Sequence, residues 1–172
     1  MEGLIFIEQF TENPNALYTT LLDTVIWEEQ LTSRKTASFG KAYNYPPMVY
    51  KEQDFLPCLA DLLPILEKKL GFLPNNCLLN WYPNGQSKMG FHADQITLMT
   101  ADTGVAIISL GASRALHFRQ TNNYNQRHQV VLPAGSLLYM SNSLQETWQH
   151  ALPKSNATTP RLSLSFRQLK LS

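Results

Sequence analysis

The sequence predicts a mainly β domain with flanking helices, an α+β chain whose core is a double-stranded β-helix, or jelly roll. Three observations carry that expectation. From residue 77 onward, short stretches of strand character are separated by turn residues, which favours an antiparallel sandwich or barrel over a parallel α/β sheet. The clear runs of apolar residues at helical spacing fall within the first 76 residues. A length of 172 residues suffices for one substantial core and is too short to argue for two. The expected organisation is a single domain over 1–172, with 1–76 as an N-terminal helical and substrate-lid extension and 77–172 as the jelly-roll catalytic core.

Taken in order, residues 4–7 are a short apolar run suited to an edge strand. Asn13 then caps a helix with Pro14 at its first position, and Ala16, Leu17, Thr20, Leu21 and Thr24 share one face. The stretch from Ala37 to Pro47 reads as strand and loop, rich in aromatics. Tyr43 and Tyr45 lie two apart there, and Pro46 and Pro47 stiffen the chain and prevent a long strand. That loop suits a lid, and its tyrosines equally suit half-buried strand positions. Leu59, Leu62, Leu63, Leu66 and Leu70 recur at helical spacing. Pro57 and Pro64 open two short helices, and Gly71 closes the second. Strands follow near 77–82, 88–92, 105–110, 115–119, 128–132, 136–140, 147–151 and 161–168, and eight short strands suit a jelly roll.

Charged residues make up 16% of the chain and apolar ones 44%, with 10 Pro and 8 Gly, which fits a loop-rich globular protein and argues against disorder. Cys58 and Cys77 lack CxxC spacing and read as free buried thiols. The N-terminus has neither a basic nor a long apolar region, and no apolar run is long enough for a membrane span. The expectation is a soluble monomer, cytoplasmic or, in a eukaryote, nuclear, with no membrane partner. The net charge of +1 hides an asymmetry: residues 1–102 carry 7 Lys and Arg against 12 Asp and Glu, and residues 103–172 carry 7 against 1. A basic C-terminal half suits either a polyanion or a site for small carboxylates.

The chemistry begins at His92-Ala93-Asp94. Residues two apart on a strand share a face, so this pair presents an imidazole and a carboxylate to one point. A second histidine would complete the 2-His-1-carboxylate set characteristic of non-haem Fe(II) oxygenases, which leaves coordination positions open. The chain has four histidines, His92, His117, His128 and His150. His117 and His128 sit among arginines, whose charge disfavours a metal, so His150 in Trp148-Gln149-His150 is the better third ligand. At 161–167, Leu162, Leu164 and Phe166 alternate with Arg161, Ser163, Ser165 and Arg167. Two guanidinium groups on an inward face require anions, and a dicarboxylate satisfies both. Asn80 and Tyr82, also two apart, offer an amide and a phenol to the same space.

In these motifs the sequence resembles the AlkB-like Fe(II)- and 2-oxoglutarate-dependent dioxygenases, over roughly Arg34 to Gln168. The motifs are Asn80-x-Tyr82, His92-x-Asp94, Ser109-Leu110-Gly111-Ala112-x-Arg114, Gly135-Ser136-Leu137-Leu138-x-Met140, Trp148-x-His150 and Arg161-x5-Arg167. The resemblance implies that His92, Asp94 and His150 ligate Fe(II). It also implies that Asn80, Tyr82, Arg161 and Arg167 bind 2-oxoglutarate and that O2 is the second cosubstrate; Ser163 stands where relatives often carry an asparagine that supports 2-oxoglutarate, and its hydroxyl is expected to keep that binding. The Tyr43–Tyr45 segment is similar to the family's nucleotide-recognition lid, with Tyr45 first and Tyr43 second as the ring that stacks on a flipped base. Arg34 and Arg114 are further substrate contacts, and Arg114, Arg119 and Arg127 are candidates for phosphate. Ile96 stands where relatives often carry an acidic residue two positions after the iron-binding Asp. Two enzyme classes follow: oxidative demethylation of N-alkylated bases in DNA or RNA, or the same chemistry on a protein side chain or small molecule. A third class, a jelly-roll binding module without turnover, does not need the complete ligand set and both arginines.

Overall fold

The computed structural model describes residues 1–171. Its elements run β1 (Leu4–Ile7), α1 (Pro14–Thr24), β2 (Lys35–Gly40), α2 (Pro57–Ala60), α3 (Leu63–Leu70), β3 (Asn76–Tyr82), β4 (Met89–His92) and β5 (Gly104–Gly111). There follow β6 (Arg114–Gln120), β7 (Asn123–Leu132), β8 (Leu137–Ser141), α4 (Asn142–Thr147), β9 (Trp148–Leu152) and β10 (Arg161–Arg167). The strands form a six-stranded sheet, ordered β1-β8-β5-β10-β3-β2, and a four-stranded sheet, ordered β4-β9-β6-β7. All the named pairings are antiparallel. The eight strands from β3 to β10 thus divide into two facing sheets of four, the jelly roll expected from the sequence. β1 and β2, from the N-terminal segment, extend the edges of the larger sheet.

Alternation along each strand decides what each face meets. On β10, Leu162, Leu164 and Phe166 join Leu79, Ile108 and Leu110 in a core roofed by Leu21 of α1 and by Leu59 and Leu66 from the α2–α3 region. The opposite face looks between the sheets, where a second core gathers Tyr82, Leu116, Phe118, Leu138 and Leu152. The inter-sheet space near β10 is therefore polar on one wall and apolar around it.

The predicted helix ends hold. Asn13 accepts from the Ala16 amide (3.4 Å), and Gly71 takes the left-handed conformation (φ 83°) that lets its N–H close α3 on Glu67. Two segments differ from expectation. β7 begins at Asn123 rather than near 128, because the β6–β7 hairpin projects and residues 123–129 are exposed, which removes the inside–outside alternation that marks a strand. α4 was not anticipated; Ser141 caps it by accepting from Leu144 N–H (3.2 Å), and the helix turns the chain from β8 into β9. No helix among the described residues is long and apolar enough to cross a membrane.

Candidate metal centre and cavity

Cross-strand register builds the centre. β4 and β9 pair so that His92 lies opposite His150, with ring centroids 4.3 Å apart, and Asp94 follows as β4 ends. The three donor atoms lie within 4.8 Å of one another. Asp94 Oδ1 is 3.9 Å from His92 Nε2 and 3.7 Å from His150 Nε2. His92 Nδ1 meets the Gly90 carbonyl at 2.8 Å, an arrangement that puts the ring proton on Nδ1 and leaves Nε2 with a lone pair. Burial, reinforced by the nearby His92 and Arg167 charges against the pull of Asp94, lowers His150 to about 4, so its imidazole is neutral at neutral pH. Burial pushes the Asp94 carboxyl up, but Arg167 first and the two histidines after it outweigh that, and the net effect holds it below the usual carboxylate range.

The carboxylate is divided between two tasks. Arg167 donates to Oδ2 from Nε (2.9 Å) and Nη2 (2.6 Å), which leaves Oδ1 to face the histidines. Arg167 therefore departs from the expectation that one external dicarboxylate meets both arginines, since its principal anion belongs to the chain. Its Nη1 alone is without a partner. Arg161, at the other end of β10, is 3% exposed and meets no carboxylate among the described residues. Its Nη2 donates to Ser109 Oγ (2.9 Å), its guanidinium lies 5.6 Å from the Tyr82 ring centre, and its Nε has no partner. Burial lowers it to about 10. Both arginines, with Asn80, Tyr82 and Ser163 between the sheets, line one cavity of about 400 Å³ that also holds the histidines and Asp94.

A profile of the 2OG-Fe(II) oxygenase superfamily matches residues 6–167. The chain belongs to this superfamily. Among its relatives, the bovine "DNA oxidative demethylase ALKBH2" is 29% identical over 147 residues, 79% of this chain and 53% of that protein. The mouse "Alpha-ketoglutarate-dependent dioxygenase alkB homolog 3" is 28% identical over 145 residues, 78% of this chain and 51% of that protein. The chain thus spans about half the length of these curated relatives. The solved structure of OsALKBH1 superposes with a TM-score of 0.72 at 16% identity, over 98% of this chain and 99% of that one, and shares the fold.

The superfamily's cofactor and cosubstrates are Fe(II), 2-oxoglutarate and O2. The residues present fit them. The donor set is two imidazoles and one carboxylate, suited to Fe(II). The unpaired, buried Arg161 is a guanidinium whose missing partner is an anion.

The remaining predicted residues divide. Tyr45 is half-buried and lines the cavity. Arg34 lines it too, and its Nε donates to Asn80 Oδ1 (2.8 Å). Tyr43 lines the cavity as well, but it is 5% exposed and one face of its ring is covered by the Arg167 guanidinium at 4.1 Å, which leaves Tyr45 the more open of the two rings. Arg114 is corrected as a substrate or phosphate contact. It is 2% exposed and donates to the carbonyls of Asn84 (3.2 Å), Ser87 (2.8 Å) and Pro153 (2.7 Å), so it ties two loops together. His117 and His128 lie outside the donor set. Ile96 packs on the cluster of Tyr43, Met48, Met99 and Leu169 rather than lining the cavity. Sequence reasoning missed Gln145, whose Oε1 accepts from Asp94 N–H (3.0 Å), because a glutamine on an exposed-looking Ser-Leu-Gln-Glu run carries no signal.

Proposed function

We propose that this chain is an AlkB-type dioxygenase that oxidatively demethylates N-alkylated nucleobases in DNA or RNA, releasing formaldehyde, succinate and CO2. The observation that carries the reading is one cavity holding a His–Asp–His donor set beside a buried guanidinium without an anion. His92 Nε2, Asp94 Oδ1 and His150 Nε2 hold the iron. Arg161 holds a carboxylate of 2-oxoglutarate, assisted by Asn80, Tyr82, Ser163 and the spare Nη1 of Arg167. When bound, these groups supply an oxidation in which 2-oxoglutarate loses CO2 to become succinate and one oxygen of O2 enters the methyl C–H bond. The protein's own share is orientation and shielding. Arg167 fixes the carboxylate, the apolar wall of Leu78, Ile107, Leu116 and Leu152 excludes water, and Tyr45 stacks on the extruded base. Arg34, beside Asn80, lies within reach of the same substrate. The hydroxymethylated nitrogen then expels formaldehyde and recovers its proton.

Two features support a polynucleotide. The two curated relatives named above are a DNA oxidative demethylase and an alkB homologue. On the outer face of the smaller sheet, the Arg119 guanidinium lies between the rings of Phe91 (4.2 Å) and Tyr124 (3.9 Å), with Arg127 across from it on β7. β6, β7 and β9 carry no carboxylate, and Phe91 also borders the cavity, so a basic face leads to its mouth. We take the monomer as the working unit, active where its polynucleotide resides in the cytoplasm or, in a eukaryote, the nucleus.

One observation favours the second reading, an oxygenase of a protein side chain or small molecule. Among the described residues, Asp94 is the only carboxylate lining the cavity, and both its oxygens are engaged, so none remains to pair with a cationic methylated base. The iron-loaded protein is to be supplied with methylated single- and double-stranded oligonucleotides and 2-oxoglutarate. Formaldehyde release equal to succinate formed is expected, whereas succinate without formaldehyde gives the function to the second reading.

A further inference from the structure

The turn that carries Asp94 is held by its backbone as well as by its carboxylate. Asp94 and Gln95 follow the end of β4, so their amides need partners outside the sheet ladder. The Asp94 N–H donates to Oε1 of Gln145 (3.0 Å), and the next amide, of Gln95, donates to the Tyr43 hydroxyl (3.0 Å). Both acceptors are buried, Gln145 at 4% exposure and Tyr43 at 5%, and they arrive from opposite parts of the chain. Gln145 stands on the capped helix α4, and Tyr43 on the aromatic loop after β2.

Tyr43 reaches Asp94 twice. Its hydroxyl holds the following amide, and its ring lies 4.1 Å from the guanidinium carbon of Arg167, which occupies Oδ2. The other partner of Gln145 is weak, the Met140 sulfur at 3.9 Å from Nε2, so the bond to Asp94 is the strong one its buried amide makes. Neither residue belongs to the donor set, yet together they fix the main chain on both sides of the carboxylate.

We propose that Tyr43 and Gln145 are positioning residues that clamp two consecutive amides so that Asp94 Oδ1 is presented to the metal, and that Tyr43 thereby ties the aromatic loop to the metal centre. The proposal rests on the Fe(II) reading above. Partners of this kind set metal affinity because a ligand that must be reoriented on binding binds less tightly.

The test is anaerobic titration with Fe(II) in the presence of 2-oxoglutarate, read by the visible charge-transfer band, on wild type, Tyr43→Phe and Gln145→Met. Tyr43→Phe deletes one oxygen and keeps the ring on Arg167; Gln145→Met keeps the size and deletes the acceptor. Thermal unfolding of the metal-free proteins reports whether each variant is folded. Folded variants are expected to bind Fe(II) about tenfold more weakly, and Gln145→Met, which lies outside the cavity lining, is expected to keep the wild-type affinity for an unmethylated oligonucleotide. Tyr43→Leu, which also uncovers Arg167, is expected to bind Fe(II) more weakly still. Fe(II) affinity within twofold of wild type in either folded single variant overturns the clamp and leaves the metal reading intact. A wild type that gives no band removes the metal reading itself, and the clamp with it. Should Tyr43→Phe fail to fold, Gln145→Met decides alone.

Discussion

Strand β10 has an arginine at each end of one face, and the two have opposite fates. Arg167 meets Asp94 through two donors; burial lowers its guanidinium, but the carboxylate outweighs that cost and holds it above the ordinary range. Arg161, equally enclosed, meets a hydroxyl and a ring, and burial lowers it to about 10. One end is internally balanced and organises the metal ligand. The other is left with an unanswered charge and is where an anionic cosubstrate gains most. A buried charge is strongly disfavoured without a partner, so Arg161 is a standing cost to the apoprotein that ligand binding removes.

The largest expected effect separates the two ends directly. Arg167→Met leaves Asp94 buried without its cation and is expected to destabilise the metal-free protein by roughly 3–5 kcal/mol. Arg161→Met removes an unpaired charge, and its stability is expected to stay within about 1 kcal/mol of wild type, while half-saturation by 2-oxoglutarate rises about 100-fold. Urea unfolding of the two apoproteins and a cosubstrate titration make the comparison. Equal destabilisation by both substitutions breaks the distinction between the two ends.

The next effect concerns charge balance around Asp94. His150 has a folded value of about 4, below the ordinary 6.5 of a free imidazole, so between those values the unfolded chain takes up a proton that the folded chain refuses. This contribution to stability is complete above pH 6.5 and is lost as pH falls toward 4, by roughly 3 kcal/mol at most. Asp94, depressed below the ordinary 3.8, adds its own loss only at still lower pH. Urea midpoints of the metal-free protein at pH 7, 5.5 and 4.5 are expected to fall accordingly, and His150→Gln is expected to flatten that slope. An unchanged slope in the variant transfers the effect to other groups.

How far this site was legible follows from the same residues. The period of two on β10 identified its buried polar face because Leu162, Leu164 and Phe166 alternate strictly with Arg161, Ser163, Ser165 and Arg167. His92 and His150 were legible as candidates by their scarcity and their strands. Spacing along a chain says nothing about which anion meets which cation, so the capture of Arg167 by Asp94 appeared only with the packed sheets. Arg114 was misread for a related reason. A guanidinium in a basic segment suggests solvent, and only the convergence of three loop carbonyls on it makes burial affordable. Tyr43 and Tyr45, indistinguishable by sequence, both line the cavity and diverge because the first is buried under Arg167 and the second stays partly open. The first part of β7 and the whole of α4 escaped notice because an exposed hairpin and a six-residue helix carry almost no periodicity.

Arg119 supplies a third arginine environment and the smallest expected effect. It has no carboxylate partner, as with Arg161, but it is only partly buried, donates from Nε to Gln149 Oε1 (2.8 Å) and lies between two aromatic rings. Water still reaches the group, so no stability cost accumulates, and the rings hold the guanidinium in place with its charge unneutralised. Such a cation suits a phosphate that comes and goes with substrate. Arg119→Ala is expected to weaken oligonucleotide binding about fivefold, to lower the salt dependence of binding by about one phosphate contact, and to leave half-saturation by 2-oxoglutarate unchanged. Fluorescence anisotropy across a salt series measures the first two and succinate formation the third. If the oligonucleotide affinity and its salt slope both stay at the wild-type values, the sandwiched arginine is a packing device, and an unpaired guanidinium in this fold signals a ligand only where it is fully enclosed, as at Arg161.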